Sequence, residues 1–416
     1  GRIFVVSAYA GMTNLLLEHK NTGEPGVYAH FARNEAAWRE ALDRVREQMC
    51  DRNATMFARA DSREKADRFV CERTQYLRAC LDDLDRLRAH GRFSLKDQLV
   101  TVREMLAGFG EAHSAHSTAL LLRDRGVNAV FVDLTGWSED DRVSLDQRVL
   151  EALEPIDLSK QMPIVTGYAG CEGGMIRRYA RGYSEMTFSR IAVVTGASKA
   201  IIHKEFHLSS ADPKLVGETR ARKIGRTNYD VADQLANLGM EAIHPRAGRG
   251  LRQAEIPLCV RNTFDREDEG TLICGDYVSD TPRVEIVTGV RELHALEFFE
   301  QDMVGEKGYD AAILEALAKR SVWIVSKSSN ANTITHYLSG SSEAVAKVVS
   351  DLEDAFPGAM ISPRPCAMVA AIGSDISAPG LVARALAALH QAGVPVLALQ
   401  HQVRNVDIQF VIERSD

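Results

Sequence analysis

The sequence lacks the features that mark membrane-spanning proteins, disulfide-stabilised proteins and thiolate zinc sites. No apolar run approaches the roughly 18 residues that a spanning helix needs. Its seven cysteines are an odd number, and none forms a CxxC pair. A disulfide framework and a thiolate zinc site are therefore not indicated, and we expect a reduced, cytoplasmic compartment.

Several motifs of nucleotide-binding and hydrolytic enzymes are also absent. The sequence has no Gly-Lys dipeptide and hence no P-loop, no GxGxxG that follows a strand, and neither HRD nor DFG. GxSxG is absent too, so a hydrolase elbow is not indicated. His113 and His116 have no acidic partner at zincin spacing, and we interpret them as ordinary helix residues before metal ligands.

Charge and length limit the class of protein further. The net charge of −7 argues against nucleic acid or an anionic membrane as the main partner. The 416 residues are enough for two to four domains, and 45% apolar with 26% charged residues is typical of globular proteins.

Apolar strands alternate with helical segments between about residues 111 and 275. This alternation predicts a mostly parallel sheet covered by helices. Loops beginning at Ser7, Gly167 and Glu205 each follow a strand, so we expect them to converge at the carboxyl edge of the sheet. The predicted strands are 3–6, 129–133, 163–167, 200–205 and 256–264, and the predicted helices include 94–108, 111–125, 146–154, 187–199 and 229–238.

The last 135 or so residues contain an internal repeat. Shifting VWIVSKSSNANTITHYL by 74 residues places it without a gap over VLALQHQVRNVDIQFVI. Ile334 then matches Ile408, and Leu338 matches Ile412. Each copy is predicted to be a strand–helix–strand–strand–helix unit. The second copy ends before its last helix, so either the C-terminus is shortened or another segment completes the unit.

Two polar segments stand out against this background. ARGYSE occupies residues 180–185, and HKEFHLSSADP occupies residues 203–213. An arginine fork beside a hydroxyl at a helix start is suited to a small dianion or a phosphate. ARGYSE comes immediately before the apolar run of the predicted helix 187–199, and the turn that ends in SSADP follows the predicted strand 200–205.

The motifs together resemble one family. VVSAYAGMTN, GFGEAHSA, PIVTGYAG, ARGYSE, SSADP, the His-Pro pair at 244–245 and NTF with GT.I come in the order and spacing of aspartokinases. The resemblance implies an amino-acid-kinase fold followed by two ferredoxin-like ACT domains, with limits at 1–280, 281–357 and 358–416. Among aspartokinases, RGYSE and HKEFHLSSADPK look most like the form found in ectoine-biosynthesis clusters.

This resemblance implies a reaction and a set of roles. The reaction is phosphoryl transfer from ATP with Mg²⁺ to the side-chain carboxylate of L-aspartate. Arg181, Ser184 and Glu185 would form the catalytic turn, with Arg181 forking onto a substrate carboxylate and Glu111 holding the substrate's amino group. The remaining implied roles are substrate binding by Ser7 and Thr13 and nucleotide binding by His203, Lys204, Ser209, Asp212, Lys214 and Glu241.

Some positions depart from the family. Its opening run of lysine, two glycines, threonine and serine is absent here, and we expect that run to precede Ile3. The usual Thr-Asp of the nucleotide loop is His203-Lys204, and Glu241 replaces an expected lysine.

Each site residue also has a plain structural interpretation. Ser7 or Thr13 could cap a helix, and Glu111 could favour a helix N-terminus. Arg181 with Glu185 could be a surface pair, and Asp212-Pro213 is common turn chemistry. Taken singly, these interpretations are preferred for all but Arg181; in family order, function is preferred for Ser7, Glu111, Arg181 and Ser184.

Two other functions stay open. The repeat and the absent phosphate-binding run are compatible with a non-catalytic amino-acid sensor or regulatory subunit. Its effector loops would be 302–308 and 374–380, and the ACT resemblance implies a homo-oligomer with a small-molecule effector. An amino-acid-kinase-fold enzyme acting on glutamate is the third alternative, which the ACT-like tail disfavours.

Overall fold

The computed structural model describes residues 1–20, 22–137, 143–179, 182–217, 219–240 and 242–415. The chain divides into two compact units, Gly1–Ala197 and Ser198–Asp416. Within the described ranges no helix is long and apolar enough to cross a membrane.

The first unit contains a parallel sheet whose strands are β1 (Phe4–Val6), β2 (Ala129–Val132) and β3 (Met162–Thr166), in the order β1-β3-β2. Its helices are α1 (Met12–Leu16), α2 (Val27–Ala32), α3 (Trp38–Met56), α4 (Ala60–Ala89), α5 (Lys96–Asp124), α6 (Leu145–Leu153), α7 (Met175–Tyr179) and α8 (Tyr183–Val194).

Helices cover both faces of this sheet, as the alternating pattern predicted. Ile164 and Val165 point to opposite faces because successive strand residues alternate. Ile164 packs with Ala115 and Ala119 of α5. Val165 packs with Val149 of α6 and Ile191 of α8. The predicted covered parallel sheet is therefore confirmed for this unit.

Helix α5 corrects one prediction. Residues 94–108 and 111–125 were expected to form separate helices with a break at Gly108, but α5 runs without interruption from Lys96 to Asp124. Its glycines serve close packing instead of chain reversal. A Cβ on Gly108 would lie 2.9 Å from Cδ1 of Tyr168, and one on Gly110 would lie 3.1 Å from Cβ of Ala8.

The second unit has two sheets. The smaller one has the order β4-β6-β7-β5, with a single antiparallel pair between β6 and β7. Its strands are β4 (Ala200–Lys204), β5 (Arg226–Asn228), β6 (Leu258–Asn262) and β7 (Thr271–Cys274), and its helices are α9 (Pro213–Val216), α10 (Tyr229–Asn237) and α11 (Pro245–Gln253).

The larger, antiparallel sheet contains both repeat copies in the order β12-β13-β11-β8-β10-β9. Its strands are β8 (Ile286–Phe299), β9 (Trp323–Ser329), β10 (Thr333–Ser339), β11 (Met360–Ile372), β12 (Val396–His401) and β13 (Asp407–Glu413), and its helices are α12 (Tyr309–Lys319), α13 (Ser342–Ala355) and α14 (Leu381–Gln391). The aligned repeat positions Ile334, Leu338, Ile408 and Ile412 are all buried.

Strand β8 pairs with strands of both repeat copies. Its first part pairs with the second half of β11, from Ile286 opposite Ile372 to Val290 opposite Met368. Its second part pairs with β10 and with the first half of β11. Strand β8 therefore joins the two copies, and the expectation about the last helix of the second copy stays a prediction. The domain limits at residues 280 and 357 stay predictions.

Helix α10 packs against this larger sheet. Val231 and Leu235 lie in one hydrophobic cluster with Ile286 and Met368. Leu208, from the segment HKEFHLSSADP, belongs to the same cluster. The backbone N–H of Val287 also donates to the carbonyl of Ser210 at 2.8 Å. The sheet built from the repeats is thus joined directly to that segment.

Candidate active site

The first unit brings two of the three predicted loops together. β1 and β3 pair in parallel, and the N–H of Gly167 donates to the carbonyl of Val6 at 3.0 Å. Ser7 follows β1 and Tyr168 follows β3, so both lie at the same edge of the sheet. The third predicted loop, at Glu205, lies in the second unit.

The loop after β1 reaches α1 through a glycine. Gly11 has a φ of 81°, in the left-handed region, and no side chain caps the helix. Thr13 is part-buried in the first turn of α1, and Ser7 is exposed. The capping explanation for these two hydroxyls is therefore wrong, because neither accepts a hydrogen bond from the start of α1.

Glu111 is a buried carboxyl group near the middle of α5, with 2% of its surface exposed. The helix-terminus explanation is therefore wrong, since the N-terminus of α5 lies four turns away. The Ser184 hydroxyl donates to Glu111 Oε1 at 2.6 Å. A Cβ on Gly167 would lie 2.7 Å from both Glu111 Oε2 and Ser184 Cβ. Only glycine permits this approach of the strand end to the pair.

Burial governs the charge of this carboxyl group. It raises the pKa of Glu111 to about 8, because little solvent remains to stabilise the anion. The Ser184 hydroxyl and the nearby amides of Ala8 and Tyr168 oppose the rise by favouring the charged form. Glu111 Oε2 nevertheless has no partner at hydrogen-bonding geometry among the described residues. A cation delivered to this oxygen would convert the acid to a carboxylate.

Ser184 and Glu185 belong to the first turn of α8. The sequence predicted this helix from residue 187, but it begins at Tyr183, after Gly182 with a φ of 77°. The Tyr183 ring meets that of Tyr168 edge to face, with centroids 5.8 Å apart. Burial and the nearby charges of Glu111 and Glu104 raise the pKa of Tyr183. Ala180 and Arg181 lie outside the described residues.

The predicted nucleotide residues occupy the second unit. His203 and Lys204 form the end of β4, and Lys214 is exposed. Ser209 is buried, and its hydroxyl donates to the carbonyl of Ala211 at 3.0 Å. Asp212 caps α9 by accepting from the Lys214 N–H at 2.9 Å. The turn explanation for Asp212-Pro213 therefore holds. Glu241 lies outside the described residues.

Glu104 and Tyr168 contact this part of the molecule and were not among the predicted site residues. Tyr168 stood inside the motif PIVTGYAG without a role, and Glu104 was not singled out. The signal for Glu104 was its spacing: it precedes Glu111 by seven residues, which is about two helical turns and one helix face.

The comparisons with known proteins point to one family. The sequence profile of the amino acid kinase family matches residues 2–262. The aspartate kinase Ask_Ect of Stutzerimonas stutzeri (strain A1501) is 48% identical over 417 residues, covering 100% of this chain and 88% of that protein. The aspartokinase of Geobacillus stearothermophilus is 29% identical over 338 residues, covering 75% of this chain and 78% of that protein.

The chain belongs to the aspartate kinases of the amino acid kinase family.

Solved aspartate kinase structures share its fold. Aspartokinase III of E. coli, in complex with aspartate and ADP in its R-state, has a TM-score of 0.71 at 19% identity, covering 100% of this chain and 90% of that one. The same enzyme in complex with lysine and aspartate in its T-state has a TM-score of 0.69. The predicted amino-acid-kinase fold with ACT-type tail is thereby confirmed for this aspartate kinase.

Proposed function

We propose that this aspartate kinase transfers the γ-phosphoryl group of ATP to the side-chain carboxylate of L-aspartate, giving ADP and 4-phospho-L-aspartate. The reaction would open the biosynthesis of aspartate-family amino acids and of ectoine. The observation that carries the proposal is the buried Glu111 carboxyl group, with Oε1 held by Ser184 and Oε2 without a hydrogen-bond partner among the residues that the structure describes.

This arrangement suits the ammonium group of an amino acid. Once ionised, a buried carboxylate attracts a cation strongly because little solvent screens its charge, and at neutral pH binding of the cation releases the proton of the acid. We assign the substrate's amino group to Glu111 Oε2. Ser7, Thr13 and Ser184 would supply hydroxyls around the substrate, Arg181 would pair with a carboxylate, and Glu185 would support the turn. No general base is required, because the acceptor carboxylate, with a pKa of about 3.9, is already ionised at neutral pH.

Positioning and positive charge therefore carry most of the catalysis. We assign the nucleotide to the second unit, with His203, Lys204, Ser209, Lys214 and Glu241 as its nearest groups. Asp212 contributes there by holding the start of α9 through its bond to Lys214.

A resident metal site does not fit the described residues of that unit. His207, Asp265 and Asp268 lie within 4.8 Å of one another. However, Lys223 Nζ already lies 2.5 Å from Asp268 Oδ2, which neutralises that carboxylate. Mg²⁺ also prefers oxygen ligands and keeps water and phosphate in its shell. We therefore treat Mg²⁺ as part of the MgATP substrate, held mainly by the phosphates.

The test is the trapping of the acyl phosphate. The natural protein, given aspartate, MgATP and hydroxylamine, is expected to form aspartyl hydroxamate, and glutamate is expected to form none. Arg181→Ala should raise the aspartate KM or abolish turnover. Hydroxamate formation that is equal with glutamate, or an unchanged KM and kcat in Arg181→Ala, would contradict the respective assignment.

The repeat sheet is also compatible with a second candidate function, that of an amino-acid sensor. An effector site at 302–308 or 374–380 and a homo-oligomer are part of the proposal for the enzyme as well. Calorimetry with lysine, threonine and ectoine-pathway products separates the two functions. Effector binding together with nucleotide binding supports a regulated kinase, whereas effector binding without nucleotide binding supports the sensor.

A further inference from the structure

Glu104 is a second buried carboxyl group on the same face of α5 as Glu111. Only 8% of its surface is exposed. It accepts hydrogen bonds from three donors: Tyr168 Oη at 2.5 Å, the N–H of Ile176 at 2.9 Å and the N–H of Arg177 at 3.2 Å. Hydrogen bonds to a buried carboxylate are stronger than hydrogen bonds to a neutral acceptor, so several of them hold the side chain firmly in place.

The backbone around Glu104 packs closely against its side chain. Gly174 has a φ of 70°, and a Cβ there would lie 2.5 Å from Glu104 Oε1. The Tyr168 ring is fixed at its other side by Gly108, where a Cβ would lie 2.9 Å from Cδ1. The loop between β3 and α7 therefore fits closely around this carboxyl group.

Two carboxyl groups of one helix thus hold the two ends of a single segment. Glu104 binds its first part, at Tyr168 and at the start of α7. Glu111 binds its last part, through Ser184 in the first turn of α8. The anchor at the start of α7 precedes the sequence ARGYSE, and the anchor at Ser184 lies within it. A segment fixed at only one end would keep more conformational freedom, and ordering it would then weaken substrate binding.

We propose that Glu104 is a positioning residue for aspartate binding. It acts through Tyr168 and the start of α7, and it does not touch the substrate. The inference rests on the proposed aspartate kinase activity.

The test is a comparison of Glu104→Gln with a matched control in the natural protein. Glutamine keeps the size of the side chain but has one acceptor oxygen for three donors. The control is Asp124→Asn, at the far end of the same helix, where the carboxylate accepts from Ser62 Oγ at 2.8 Å. Steady-state ADP release and thermal unfolding are measured for both variants.

Glu104→Gln is expected to raise the aspartate KM about tenfold, because this factor corresponds to the loss of one charge-assisted hydrogen bond. Its ATP KM should stay within about twofold, and Asp124→Asn should leave both KM values unchanged. Tyr168→Phe removes one of the three bonds and keeps the others, so it should raise the aspartate KM about fivefold. In the double variant Glu104→Gln/Tyr168→Phe, the rise in the aspartate KM should be smaller than the product of the two single rises, because both substitutions act on one contact.

Several results would overturn the inference. One is an unchanged aspartate KM in Glu104→Gln. Another is an equal rise in both KM values with a loss of thermal stability, which indicates a purely structural role. If Glu104→Gln does not fold, an unchanged aspartate KM in Tyr168→Phe would overturn the inference instead. Failure of the unaltered protein to release ADP with aspartate would instead reject the proposed function, and the inference with it.

Discussion

The pH dependence of aspartate use is the sharpest consequence of the Glu111 environment. The free protein holds this group with a pKa of about 8. Binding of an ammonium group favours the carboxylate, so binding must release a proton wherever the free protein carries one. The sign follows directly: kcat/KM for aspartate should rise with pH and level off above about pH 8.

The magnitude follows from the ionised fraction. With a pKa of about 8, roughly 1% of Glu111 is ionised at pH 6 and roughly half at pH 8. Because the apparent affinity scales with the competent fraction, kcat/KM should increase about 50-fold over these two units. Neither neighbouring histidine contributes, since burial lowers the pKa of His113 and of His116 to about 4 and both stay neutral throughout.

The assay is coupled ADP release at saturating MgATP, with aspartate varied between pH 6 and pH 9. Glu111→Gln is the matched control, because it keeps the shape and removes the titration. Its kcat/KM should be low and nearly independent of pH. A wild-type profile that is flat between pH 6 and pH 8, or one that Glu111→Gln reproduces, would refute the assignment of the ammonium group to Glu111.

Two further predictions test the surroundings of this carboxyl group. Ser184→Ala removes a hydroxyl that favours the charged form, so the midpoint of the kcat/KM profile should move up by about one pH unit. A midpoint at or below that of the wild type would contradict the bond. Gly108→Ala should lower the free energy of unfolding by about 1–3 kcal/mol through overpacking against Tyr168, although alanine normally stabilises a helix interior by about 1 kcal/mol. Chemical denaturation measures this, with Gly225→Ala as control because a Cβ there meets nothing within 4 Å; stabilisation by Gly108→Ala would show that Tyr168 is free to move.

Local pattern predicted the regular elements well. The predicted helix at 229–238 corresponds to α10, which spans Tyr229–Asn237. Trp38, Leu42, Val45 and Met49 recur at steps of four and three, a spacing typical of one helix face, and all four side chains are buried on α3. The start of β8 was missed, because Gly289 and the charged pair Arg291-Glu292 interrupt the apolar pattern of a strand that lies between two others.

The contacts of the candidate site were harder to predict from local sequence pattern. Family order pointed to Glu111 and Ser184, but their contact joins residues 73 positions apart. No local rule indicates such a contact. The break expected at Gly108 shows the same limit, since a glycine chosen for close tertiary packing has the same sequence signal as one that ends a helix. Glu104 could have been found, because its seven-residue spacing from Glu111 was visible.

The shared strands of the repeat sheet have a consequence for how the tail is made and lost. Strand β8 is the first part of this sheet to be synthesised, yet its opening residues pair with the end of β11, about 80 positions later. The sheet around the second copy can therefore form only after the whole tail has been synthesised. A stop codon after β10 would leave an edge of β8 unpaired and prone to aggregation. We expect natural variants of this tail to gain or lose both copies together.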